Sequence, residues 1–217
     1  MESVLKDILL INVFGEDKPG VTSAVTSLLS NFDVTILDIG QAVIHDQLNL
    51  GLLAAIPSEA SSDDLMAQVQ ACTTELNMRV KFLPISEGRY QQWVEQQGKA
   101  RHIVTLLARY ITAQQISELT NIVASHGLNI DNISRLSGRV PLGGSTMDSK
   151  ACVEFSARGN PSDTSRLRAD FADLASRLDI DIAFQEDNMY RRTRRLVCFD
   201  MDSTLIEAEV IDELAKA

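Results

Sequence analysis

The chain has 217 residues, 45% of them apolar and 23% charged, with only 11 Gly and 5 Pro. That balance fits a folded protein of one or two domains. A net charge of −10 argues against a general binder of nucleic acid or anionic membrane, either of which needs a basic face. Cys72, Cys152 and Cys198 lie far apart, without metal-ligand or redox spacing, and read as buried, reduced thiols in a cytoplasmic protein. The first residues are apolar only from Ile8 to Phe14, which predicts a strand rather than a signal peptide. No apolar stretch is long enough to span a bilayer.

In chain order, residues 7–14 predict a strand. Val21, Val25, Leu28, Leu29 and Phe32 then fall on one helical face. Residues 34–45 and 48–56 read as a strand pair turning at Asp46-Gln47. A second helix carries Leu65, Val69, Cys72 and Leu76, with capping residues at Ser61-Ser62-Asp63-Asp64. Residues 78–85 close the unit as a strand. A polar, glutamine-rich stretch follows, residues 87–100, read as a helical linker around Trp93.

The same order then repeats. Ile8–Val13 corresponds to His102–Leu107, and Asn31–Ile39 to Ser125–Ile133, at an offset of 94 (102 − 8). Gly51–Ile56 is set against Ala151–Ser156. In the second copy Ile116, Leu119, Ile122 and Val123 mark one helix, which Gly127 ends. Leu167, Phe171, Leu174 and Leu178 mark the other. A polar loop with Gly143-Gly144 separates the middle strands. The fold class is therefore α+β: two tandem ferredoxin-like domains of order β-α-β-β-α-β, at residues 1–86 and 101–188. Aromatic residues are 5% of the chain, too few for the exposed base-stacking strands of an RNA-recognition module.

Gly15-Glu16-Asp17-Lys18-Pro19-Gly20-Val21 joins the first strand to the first helix. The free N–H groups of a helix start suit a carboxylate, and Asp17 can hold an amino group. This loop resembles the ligand loop of ACT domains, ferredoxin-like modules that bind amino acids. The resemblance implies an effector site at Asp17, Pro19, Gly20 and Val21, for L-serine or another amino acid, and a homodimer. The second copy has Arg109–Gln114 at the matching place and lacks Pro-Gly, which predicts a structural, dimerising or partner-completing role there.

After a basic arm, residues 189–195, comes Leu196-Val197-Cys198-Phe199-Asp200-Met201-Asp202-Ser203-Thr204-Leu205. A strand's period of two sends both carboxylates the same way off its C-terminal end. One carboxylate can attack phosphorus and form an aspartyl-phosphate, while the other moves protons at the leaving group and the water. Mg²⁺ suits such hard oxygen ligands. Residues 199–209 resemble the phosphoserine phosphatase family of the haloacid dehalogenase superfamily. That resemblance implies Asp200 as nucleophile and Mg²⁺ ligand, and Asp202 as general acid/base with its backbone carbonyl on the metal. It gives Glu209 the ammonium of O-phosphoserine. The expected reaction is hydrolysis of O-phosphoserine to serine, the last step of serine biosynthesis. Residues 196–217 would form the first strand and helix of an incomplete α/β haloacid-dehalogenase-like domain. The family's remaining phosphate and metal residues do not fit in the 17 residues after Asp200. The chain alone is therefore expected to be inactive, with residues 196–217 loosely held or rearranged. Two other readings stay open: an amino-acid sensor and dimerisation module, and a haloacid dehalogenase phosphatase with another substrate. Neither nucleic acid nor membrane is expected as a partner.

Overall fold

The computed structural model of the chain describes residues 5–139, 150–191 and 210–216. They divide into two units, Met1–Gly98 and Lys99–Ala217. In the first, β1 (Leu5–Glu16), α1 (Val21–Ser30), β2 (Thr35–Ile44), β3 (Gln47–Pro57), α2 (Ser62–Glu75) and β4 (Arg79–Ile85) are followed by α3 (Glu87–Gln96). The second repeats the order with β5 (Arg101–Ala108), α4 (Ala113–Ser125), β6 (Asn129–Arg135), β7 (Ala151–Arg158), α5 (Thr164–Leu178) and β8 (Asp181–Glu186). A short helix, α6, spans Val210–Lys216. The sheets are antiparallel, ordered β2-β3-β1-β4 and β6-β7-β5-β8. Each is the ferredoxin-like plan.

Alternation along the strands builds each core. In β1, Leu9, Ile11 and Val13 are buried, and Leu50, Leu52 and Ala54 of β3 join them. Val21, Val25 and Leu29 of α1, with Leu65 and Val69 of α2, close that layer. The second unit repeats it with Val104, Leu106 and Phe155 under Leu119, Val123, Leu167 and Phe171. Each fully buried aliphatic side chain stabilises by roughly 1.5–3 kcal/mol relative to exposure.

The strand correspondence read from sequence is one residue out. Ile11 faces Leu52 and Phe82, and Val104 faces Phe155 and Phe184. The offset between β1 and β5 is therefore 93 (104 − 11), not 94. Likewise Leu52 matches Phe155, an offset of 103 (155 − 52), so Gly51–Ile56 does not correspond to Ala151–Ser156. The helices do keep 94: Val25 and Leu119 are both fully buried. The strand at 102–107 is apolar at nearly every position, so nothing in its pattern fixes which face is in. The first hairpin also turns one residue earlier than predicted, at His45-Asp46, with Ile44 paired to Gln47. His45 takes a positive φ of 59° there. Cys72 and Cys152 are free but half-buried rather than buried; Cys198 and Gly143-Gly144 lie outside the described residues.

Candidate functional site

The connection from β1 to α1 is held to the hairpin tip beside it. The backbone N–H of Asp17 donates to the Asp46 carbonyl at 2.7 Å. At that tip the His45 ring donates to the Asp46 carboxylate at 2.8 Å. Their mutual hydrogen bond raises the imidazole above its ordinary range and lowers the carboxyl below its own. Asp17, Pro19 and Gly20 are exposed. Gly20 sits at φ 96°, a left-handed conformation that glycine adopts without strain, and a Cβ there would meet open space. It serves as the N-cap of α1, yet no side chain among the described residues caps the helix, and the first turn holds no acid. The N–H groups of that turn therefore point into an open, electropositive end. Thr22 in the same turn donates to the Gln41 amide oxygen of β2 at 2.6 Å, joining the helix start to the edge strand.

Val21 differs from its three companions. Its side chain is buried in the core, so only its backbone can face a ligand. The four predicted effector residues thus lie within one five-residue stretch, 17–21, with three exposed and one anchoring the helix. Sequence reasoning passed over Thr22, Gln41 and the hairpin tip. The signal for them was topological, since an edge strand beside the turn follows from the ferredoxin-like order.

The matching end in the second unit is filled by its own side chains. Thr112 accepts from Gln115 N–H at 3.1 Å, and the Gln115 amide oxygen accepts from Thr112 N–H at 2.9 Å. This capping box satisfies two donors that α1 leaves open. The missing Pro-Gly of the second copy thus has a structural counterpart: a helix start with less to offer an anion.

The ACT domain family matches twice, over residues 7–83 and over residues 100–185. The chain is a tandem ACT-domain protein. Over most of its length the chain is homologous to proteins named phosphoserine phosphatase. One from Streptomyces coelicolor is 32% identical over 95% of this chain and 47% of its own length. Another, from Mycobacterium tuberculosis, is also 32% identical, over 95% of this chain and 47% of its own. The chain spans about half the length of these curated relatives. A solved structure of an unknown protein from Galdieria sulphuraria shares the fold, with a TM-score of 0.67, 11% identity, and coverage of 84% of this chain and 99% of that one. Between the ACT matches, α3 lies in the gap at residues 84–99, within the first unit.

The predicted catalytic residues Asp200, Asp202 and Glu209 lie outside the described residues; α6 begins one residue past Glu209. Among the described residues, no group of three or more His, Cys, Asp or Glu is placed to hold a metal ion, and no helix is long and apolar enough to cross a membrane.

Proposed function

We propose that this chain is the regulatory half of a phosphoserine phosphatase, carrying two ACT units and the first catalytic motif of the enzyme. The observation that carries this reading is the 32% identity to phosphoserine phosphatases over 95% of the chain. A match that long runs beyond the ACT units toward the Asp-x-Asp segment. The relatives are about twice as long, so the activity is proposed for a polypeptide of their length.

In that protein Asp200 attacks the phosphorus of O-phosphoserine and carries the phosphoryl group as an acyl phosphate. Asp202 gives its proton to the leaving serine oxygen, then takes one from the water that frees phosphate. Glu209 meets the substrate ammonium. Asp200 and the Asp202 backbone carbonyl, both hard oxygen donors, fit Mg²⁺; when bound, the ion would offset charge on the phosphoryl oxygens. The product is serine, which closes serine biosynthesis, and a cytoplasmic setting fits reduced thiols.

The open end of α1 supports an amino-acid effector on the first ACT unit: its N–H groups for the carboxylate, Asp17 for the ammonium. Exposed Ile39 and Ile44 on edge strand β2 support a homodimer, because an apolar, unpaired edge invites another chain. Calorimetric titration of the chain with L-serine tests the effector site. Saturable binding that Asp17→Ala weakens at least tenfold is the expected result. Equal affinity in the variant would remove Asp17 from the site.

A further inference from the structure

The first unit has a cavity of about 480 Å³ at the opposite end of its sheet from Gly20. That volume lies within the range of small-molecule sites. Leu9, Ile56, Met66 and Ile85 form an apolar wall, with the half-buried Tyr90 ring of α3 beside them. Charge in the wall is one-sided. Asp7 and Glu87 are its charged residues, and no Lys, Arg or His lines it among the described residues. A shallower hollow running on from Asp7 and Ser62 adds Glu59 and Asp63. Asp7 is also held in place: the Ser62 hydroxyl donates to one of its carboxylate oxygens at 2.5 Å.

Two helices start at this cavity, and both are already capped. Ser61 Oγ accepts from Asp64 N–H at 3.3 Å, and Ser86 Oγ accepts from Arg89 N–H at 3.4 Å. A carboxylate would meet two like charges and few free donors. A neutral apolar molecule would strip water from Asp7 without replacing it. A cation would be drawn to the carboxylates while its apolar body covers the wall.

We propose that this cavity is a second ligand site, for a compact amine with an apolar body and no carboxylate: an alkyl or arylalkyl monoamine. It differs in place and in ligand charge from the α1 end, where a zwitterion fits.

The test is calorimetry on the 217-residue chain with phenethylamine, 2-phenylethanol and 3-phenylpropionate, three probes of similar shape and different charge. The amine should bind at least about tenfold more tightly than the alcohol, with no heat from the acid. Asp7→Asn should erase the preference for amine over alcohol. Met66→Trp, which fills the cavity, should abolish amine binding. Asp17→Ala should leave amine binding unchanged, which separates this site from the effector site. Equal binding of amine and alcohol, undiminished amine binding in Asp7→Asn, or no binding of the amine would each overturn the proposal. Asp7→Asn is a change at an exposed residue, so it decides the matter even if Met66→Trp fails to fold.

Discussion

Asp170 shows how a single side chain ties two helices of the second unit together. It accepts from His126 at the end of α4 at 2.8 Å and from Arg166, one turn earlier in α5, at 3.0 Å. The hydrogen bond from His126, before the charge of Arg166, holds its carboxyl below the usual aspartate range. A carboxyl lowered in the folded state stabilises the fold above its unfolded pKa, about 4, and loses that contribution as pH falls through the folded value. Asp170→Asn should therefore be less stable than the parent in urea at pH 7, and the gap should close as the pH drops below about 4. A gap of constant size would mean that Asp170 acts by packing. Other residues were opaque in the sequence for good reason. His102 occupies the position of Leu9, and it donates from Nε2 to the Gly159 carbonyl at 3.0 Å; its buried Nδ1 has no partner among the described residues. Gly159 is needed because a Cβ there would come within 2.8 Å of the Gly127 carbonyl oxygen. Both facts depend on pairings across the fold, which no local pattern reports.

The helices of the two sandwiches share one way of stopping. Asp33, Asn77, Gly127 and Asp179 follow α1, α2, α4 and α5, all with φ between 51° and 75°. In each case the next N–H reaches five residues back: Val34 to Leu29, Met78 to Thr73, Leu128 to Val123, and Ile180 to Ala175. The residue making that bond is apolar and packs on its own core. This left-handed stop satisfies orphan carbonyls and turns the chain into the next strand. Only Gly127 was legible as such a stop, because the other three positions carry Asp or Asn, which also suit caps and turns. A left-handed L-residue costs roughly 1–2 kcal/mol, less for Asp and Asn, while glycine loses more entropy on folding. Asp179→Gly should accordingly raise unfolding stability by about 0.5–1 kcal/mol, read as a higher urea midpoint with unchanged slope. A lower midpoint would show that Asp179 contributes through its side chain. Helix faces were readable because 3.6-residue periodicity survives in both copies. The β5 register was not, since a strand apolar on both faces carries no phase.

For the whole molecule, the doubled order of elements was legible because breaks and apolar runs recur even where identity is low. The geometry of the turn proposed as the effector site was legible in part: Pro-Gly marked the open start of α1, but the tether from Asp17 to the hairpin depends on where β2 and β3 turn. The Asp-x-Asp motif was read from its chemistry, two carboxylates spaced by one residue at the end of an apolar strand, together with a family resemblance; it lies outside the described residues, and its catalytic role is a proposal. Two ACT units, a match to phosphoserine phosphatases, and that motif lead to one central claim: Asp200 receives the phosphoryl group of O-phosphoserine. The direct measurement is phosphate release from O-phosphoserine and from sugar phosphates by a polypeptide of the relatives' full length, with and without Asp200→Asn. The account predicts a preference for O-phosphoserine and a loss of at least about a thousandfold in the variant, since removing a covalent nucleophile removes the main route. An undiminished rate with asparagine at position 200, or a preference for sugar phosphates, would contradict it.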